Sequence, residues 1–326
     1  MGGFLGFLYR QLTFKPKPLP SYVNLKGKTA LLTGASAGLG VEACLELAAH
    51  GLSRVILGVR DPSKCHSIKT SLEAHPDLDV QVWQLDQELF SSIQNFADRA
   101  AGLDRLDIVI LNAGIKDINY AKSKGGHELN TQINHLGTAL LSLLLLDPLQ
   151  RTALATGTSS RLTIVSSENH FWAKLKELKG PNTLANLDDE KTFGKDMDRY
   201  SVTKLLNILW MRELSARTDH TDSNVIINAV NPGFCKTNLH RYHQSGTTLA
   251  NMIGWTAVQG GHCLTDAAVQ HPRDRGAYIS EQLVTKPSSF VLSQEGRKAQ
   301  VKIWNETLQL LKAELPSLDL LAQIRA

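Results

Sequence analysis

Thr33-Gly34-Ala35-Ser36-Ala37-Gly38-Leu39-Gly40 follows directly on a short apolar run, Thr29 to Thr33, and leads into a helical pattern from Val41 to His50 that stops at Gly51. A strand that passes through a glycine-rich turn into a helix gathers backbone N–H groups and the positive end of the helix at one point, which suits a pyrophosphate. The spacing is G-x-x-x-G-x-G, whereas many dinucleotide folds use G-x-G-x-x-G. Downstream, Tyr200-Ser201-Val202-Thr203-Lys204 sets a phenol and an ammonium four residues apart. On a helix the two share a face, the ammonium favours the phenolate, and a tyrosine tuned this way exchanges a proton near neutral pH. Such a pair also occurs on many helix surfaces; its position after a dinucleotide-binding turn is what suggests hydride transfer.

Working outward, short apolar runs alternate with helical stretches. Arg54 to Val59 reads as a second strand, Val80 to Leu85 as a third, Ile108 to Leu111 as a fourth and Leu162 to Ser166 as a fifth. Tyr200 to Ala216 is helical, and Val225 to Val230 is a sixth strand. Strands separated by helices, with no tight hairpin signal, imply right-handed crossovers and an α/β fold with a doubly wound parallel sheet in a single domain. The polar segment Asn169 to Arg199 interrupts this rhythm and reads as a solvated excursion.

At 326 residues the chain has ample length for a core, and 42% hydrophobic with 20% charged residues describes a globular protein. The net charge of +4 is scattered, with no basic stripe among aromatics, so nucleic acid is not an expected partner. Cys44, Cys65, Cys235 and Cys263 lack metal-ligand spacing, which argues for no metal and a reducing, cytoplasmic setting. The apolar start, Met1 to Arg10, is too short to span a bilayer, has no basic n-region, and carries Gly6 where myristoylation needs Ser or Thr. It reads as a flap packed on the domain, with a weak interfacial anchor on a membrane surface as the alternative. Lys15-Pro16-Lys17-Pro18-Leu19-Pro20 follows as an extended linker, so residues 1–24 precede a catalytic unit spanning 25–326.

The chain resembles a short-chain dehydrogenase/reductase of the retinol-dehydrogenase-like kind, from about Leu25 to the C-terminal helix. Thr33-Gly34-x-x-x-Gly38-x-Gly40, with Ser36 and Leu39, fits the family's cofactor loop. Asn112-Ala113-Gly114 matches the motif that supports cofactor and sheet, and Asn134 the helix asparagine that holds a water in the proton relay. Ser167 takes the place of the catalytic serine, Tyr200 and Lys204 complete the tetrad, and Pro232-Gly233-x-x-x-Thr237 matches the segment on the nicotinamide side. The resemblance implies a Rossmann-type fold and hydride exchange between a reduced nicotinamide and a carbonyl. Ser167 would donate a hydrogen bond to the growing oxyanion and Tyr200 would deliver the proton. Lys204 would lower the Tyr200 pKa and hold the ribose, and Asn134 would position the water that refills the proton. The family often forms dimers and tetramers, so a homo-oligomer stays open.

Cofactor choice turns on the end of the second strand, where an acidic residue binds ribose hydroxyls and a basic one accepts a 2′-phosphate. Val59 is followed by Arg60, about twenty residues past Gly40 as the rule expects, which favours NADP(H). Asp61 comes next and no second basic residue stands in the glycine loop. Asp86 matches the adenine-contacting position or, equally well, a helix N-cap. His170, Phe171 and Trp172 are candidates for a pocket wall. The stretch from Asn238 to His262, with Tyr242, Leu249, Met252, Ile253 and Trp255 between glycines, matches the family's variable substrate lid. Ile303, Trp304, Thr307, Leu308 and Leu311 share one helical face that packs onto the domain. The expected function is an NADP(H)-dependent ketone reductase or secondary-alcohol dehydrogenase for an apolar small molecule. A non-redox dinucleotide sensor, or an isomerase or cyclase using the same pocket, are the alternatives.

Overall fold

Neighbouring residues of each inner strand face opposite sides of the pleat, and that alternation builds two cores. Leu31, Ile56, Val109, Leu111, Leu162, Ile164 and Ile227 join the core under the Tyr200 helix. Ala30, Leu32, Val55, Leu57, Ile108, Ile110 and Val165 face the other side. The computed structural model describes residues 4–219, 224–237, 239, 244–321 and 324. Its strands are β1 (Thr29–Thr33), β2 (Arg54–Val59), β3 (Asp79–Gln84), β4 (Ile108–Leu111), β5 (Ser160–Val165), β6 (Val225–Asn231), β7 (Tyr278–Ser280) and β8 (Leu283–Thr285). They form one sheet in the order β3-β2-β1-β4-β5-β6-β7-β8, parallel as far as β7. The order reverses between β1 and β4, and in such sheets the crevice beyond the strand C-termini at that point is where ligands bind. The doubly wound parallel architecture read from the sequence is therefore present.

β7 and β8 were not legible, and they overturn the expectation of no hairpin. They pair antiparallel, with Ser280 opposite Leu283. The turn residues Glu281 and Gln282 both have positive φ, 51° and 57°, where a hairpin normally takes Asn or Gly. Distant contacts hold them there. The Gln282 side chain exchanges two hydrogen bonds with the Lys17 backbone, at 2.9 and 2.7 Å, and Glu281 lies 3.5 Å from Arg10. The Pro-rich run is thereby docked along the domain, with Leu19 buried and its N–H donating to Glu46 at 2.7 Å.

The segment from Asn169 to Arg199 is also more than a solvated excursion. Thr183, Leu184 and Leu187 are buried, Glu306 accepts from the Thr183 and Leu184 N–H groups, and Arg199 is buried between Glu128 and Glu177. The C-terminal helix, Gln294–Glu314, packs as expected through Ile303, Trp304, Thr307 and Leu311, with Trp304 stacked 4.4 Å from Trp210 of the Tyr200 helix. Among the described residues no helix is long and apolar enough to cross a membrane, and no His, Cys, Asp or Glu group could hold a metal.

Candidate active site

The turn after β1 is shaped by what cannot be there. Gly38 caps the helix Leu39–Ala49 at φ 62°, ψ −134°, a region open to glycine alone. A Cβ on Gly40 would lie 2.7 Å from the Gly34 carbonyl oxygen and 2.9 Å from Asn112 Nδ2. Asn112 holds the turn from the end of β4, donating to the carbonyls of Thr33 at 3.0 Å and Gly34 at 3.2 Å. The Ala113 N–H donates to Thr33 Oγ1 at 2.9 Å. Thr33, Gly40 and Asn112 thus fix the shape of the turn, while Gly34, Ser36, Gly38 and Leu39 line the cavity above it.

That cavity, about 580 Å³, runs along the strand C-termini and brings most of the sequence-predicted residues together. Arg60 and Asp86 line one end; Asn112, Ala113, Gly114, Ser167, Tyr200 and Lys204 line the middle; Pro232, Gly233 and Thr237 close the side beyond β6. Arg60 is 65% exposed, 3.7 Å from Glu88. Asp86 lines the cavity, but it is not a helix N-cap: the helix Phe90–Ala101 begins after Leu89, and the Asp86 carboxylate accepts from the Glu88 N–H ahead of it at 3.1 Å and pairs with Lys124 at 2.6 Å.

Tyr200 and Lys204 lie in the first turns of the helix Asp198–Thr218, both almost fully buried. Lys204 Nζ donates to the Val165 carbonyl at 2.8 Å and sits 5.6 Å from the centre of the Tyr200 ring. Burial pushes the Tyr200 phenol up to about 12, against a lowering hydrogen bond from Ser167. Burial also brings the Lys204 ammonium down to about 8. The sequence argument that Lys204 favours the phenolate therefore misses the larger effect: desolvation of the phenol outweighs a charge several ångströms away. Tyr200 is held as the protonated acid.

Asn134 does not line the cavity. It sits in a π turn, Gln132–Leu136, and its amide is occupied by Ile115, accepting from the N–H at 2.8 Å and donating to the carbonyl at 2.9 Å. Nδ2 also reaches Thr203 Oγ1 at 3.1 Å, which ties this turn to the Tyr200 helix. A π turn displaces backbone carbonyls from their usual partners, so any bond from Asn134 to a relay water falls to its backbone.

The candidate pocket wall divides. Trp172 lines the cavity, but His170 is buried away from it, donating from Nδ1 to the Ser167 carbonyl at 2.8 Å while Nε2 accepts from the Ser288 N–H at 3.1 Å. Burial brings the His170 imidazole down to about 4, so it is a neutral brace behind Ser167 and not a substrate contact. The lid stretch divides too. Leu249, in the helix Gln244–Ile253, faces the cavity, and Met252 is exposed. From Trp255 onward the chain is anchored on the domain by Trp255, Gly260 and Gly261, which are buried. A Cβ on Gly260 would strike Leu39 at 2.3 Å, and one on Gly261 would strike Glu42 at 2.7 Å, so these glycines serve close helix packing instead of hinging. Asn238 and Tyr242 lie outside the described residues.

Residues 28–171 match the family model described as short chain dehydrogenase. The chain is 57% identical over 289 residues to short chain dehydrogenase sol3 of Alternaria solani, covering 88% of this chain and all of that one. The chain belongs to the short-chain dehydrogenase/reductase family. It is accordingly an oxidoreductase. Among solved structures, an uncharacterized protein from Mycobacterium paratuberculosis matches with a TM-score of 0.69 at 28% identity, covering 89% of this chain and 95% of that one. A short chain dehydrogenase from Shigella flexneri 2a strain 301, complexed with NADP, matches with a TM-score of 0.58 at 20% identity, over 80% and 99%. At that identity the second likeness shows the fold alone.

For a short-chain dehydrogenase/reductase, the sequence left several cavity residues unread. Phe7 reaches the cavity from the N-terminal helix Phe4–Thr13 and meets Trp172 and Phe234 edge-on, each at 6.1 Å. Gln11 of that helix accepts from the Phe234 N–H and donates to the Phe234 and Ile253 carbonyls. Arg10 pairs with Glu168, next to Ser167. Lys116 and Met197 complete the wall beside Tyr200. Nothing local in the sequence marks these positions, because they meet only through the tertiary fold.

Proposed function

We propose that the chain is an NADP(H)-dependent oxidoreductase that interconverts a ketone and a secondary alcohol on a largely apolar small molecule. The observation that carries this is Tyr200 held as a protonated acid in hydrogen-bond contact with Ser167, inside a cavity that extends to Arg60. NADPH, when bound, supplies the hydride. Gly34, Ser36, Gly38 and Leu39 would hold its pyrophosphate on backbone N–H groups, Asp86 the adenine side, and Pro232, Gly233 and Thr237 the nicotinamide side. Ser167 donates a hydrogen bond to the carbonyl oxygen as charge grows there, and Tyr200 delivers the proton. Lys204 holds the ribose hydroxyls, and the Asn134 turn positions the water that returns a proton through Lys204. A dinucleotide sensor has no use for this set. A panel of ketones and alcohols followed by nicotinamide absorbance tests the reading; no turnover with any carbonyl class would sink it.

Arg60 provides the sharper test of cofactor choice. It stands at the end of β2 with its guanidinium open to solvent, and a hydrogen bond to a charged group contributes about 1.5–3 kcal/mol. Arg60→Ala should weaken NADPH by about tenfold or more, the lower end applying because the site is exposed, and leave NADH almost unaffected. Fluorescence titration with both cofactors decides it. Equal losses would place the 2′-phosphate elsewhere.

The lid proposal is confined to the helix Gln244–Ile253, since Trp255, Gly260 and Gly261 beyond it are buried against the domain. Its amides should exchange quickly in the free protein and slowly with cofactor and a substrate analogue bound, as expected of an element that closes over the site. Full protection in the free protein would make it fixed wall.

A further inference from the structure

Two carboxylates, Asp86 and Glu88, stand beside the end of the cavity that Arg60 lines, and both are largely buried. Each faces a cation. Glu88 lies 3.7 Å from the Arg60 guanidinium, and Asp86 pairs with Lys124 Nζ at 2.6 Å. Lys124 stands 38 residues further along the chain than Asp86, on a turn shaped to reach it. The Ser123 N–H donates to the His127 carbonyl at 2.8 Å, and the Gly126 N–H to the Ser123 carbonyl at 3.0 Å. A Cβ on Gly125 would lie 2.9 Å from the Glu88 carbonyl oxygen, so glycine there lets the turn press onto Glu88. The Lys124 N–H then donates to the Glu88 carboxylate at 3.3 Å while its side chain runs on to Asp86.

A 2′-phosphate carries a charge of about −1.5 to −2 at neutral pH. Acidic groups beside the adenosine ribose repel it, and Arg60 alone does not balance two of them. Most exposed ion pairs contribute little. This one differs because its acid is buried on the cavity wall, where salt screens a charge less. We propose that Lys124 is a positioning residue for the cofactor's 2′-phosphate: by offsetting Asp86 it lets the phosphate approach Arg60, while Glu88 opposes the phosphate by holding the guanidinium. Lys124 and Glu88 thus set the preference for NADPH over NADH in opposite directions. This rests on reading the Arg60 end of the cavity as the adenosine end of the cofactor site, and it is independent of the chemistry at Tyr200.

Adenosine 2′,5′-bisphosphate and 5′-AMP differ only in the 2′-phosphate, and neither requires turnover, so calorimetry with the full chain at low salt tests the proposal directly. The wild type should prefer the bisphosphate. Lys124→Met and, should that fold poorly, Lys124→Gln should cut the preference by about three- to tenfold, a range that allows for the exposure of the ammonium. Binding of 5′-AMP should stay within about twofold of the wild type, because the effect acts through the added phosphate alone. Lys124→Arg should keep the preference. Glu88→Gln retains an acceptor for the Lys124 N–H and should raise it. High salt should shrink the gap between wild type and Lys124→Met, as screening demands of a charge effect. Equal weakening of both nucleotides in Lys124→Met would mark a purely structural pair and overturn the proposal. An unchanged preference, a Glu88→Gln shift in the same direction as Lys124→Met, or a wild type indifferent to the 2′-phosphate would overturn it as well. Lys124-dependent discrimination in a chain that reduces no carbonyl supports the proposal and removes only the redox reading.

Discussion

Tyr200→Phe lowers turnover by about 10²–10⁴-fold or more and leaves NADPH affinity within about twofold of the wild type. The size follows from what the substitution removes. The phenol is the protonated group beside Ser167 in the cavity, kept in its acid form because burial pushes it up to about 12. Deleting one hydroxyl leaves the ring, the helix Asp198–Thr218 and the turn Gly34 to Gly40 in place. Ser167 can still polarise a carbonyl, but no group then delivers a proton to the alkoxide. Single-turnover absorbance of NADPH, with fluorescence titration alongside, separates loss of chemistry from loss of binding. Undiminished turnover on any accepted substrate would remove Tyr200 from the reaction and with it the redox mechanism.

What the sequence revealed of the site, and what it hid, divides along a physical line. The glycine turn, Asn112-Ala113-Gly114 and the Tyr200–Lys204 pair were legible because each works through local geometry: a strand end, a helix start, a spacing of one helical turn. The hairpin at Glu281-Gln282 was not, because its backbone conformation is imposed by Lys17 and Arg10 and not by its own residue types. Lys116 was missed for a related reason. It meets Met197 across 81 residues of chain. Spacing also said nothing of burial, so the reading of Lys204 as favouring the Tyr200 phenolate left out the desolvation that raises the phenol. Glycines proved ambiguous in the same way: Gly260 and Gly261 look like hinges in a string of letters and act as contact points between helices.

Gly40→Ala should abolish most cofactor binding while leaving the catalytic residues untouched. The added methyl would lie 2.7 Å from the Gly34 carbonyl oxygen and 2.9 Å from Asn112 Nδ2, too near for either to remain in place. Neither yields easily. The Gly34 N–H is bonded to the Gly58 carbonyl at 2.8 Å, and Asn112 is committed to the carbonyls of Thr33 and Gly34. Relief must therefore come from displacing the turn, and overpacking of this kind costs about 1–3 kcal/mol. The displacement moves the N–H groups at Ser36 to Leu39 off the position a pyrophosphate needs, so NADPH affinity should fall by about a hundredfold, a loss of roughly 2.7 kcal/mol. The melting temperature should drop by several degrees, in keeping with a cost of that size in a domain of this length. Tyr200→Phe predicts the reverse pattern, binding kept and chemistry lost, so the two variants together separate the cradle from the acid. If Gly40→Ala bound NADPH as tightly as the wild type, the turn after β1 would not be the phosphate cradle, and the assignment of Gly34, Ser36, Gly38 and Leu39 to the cofactor would fall with it.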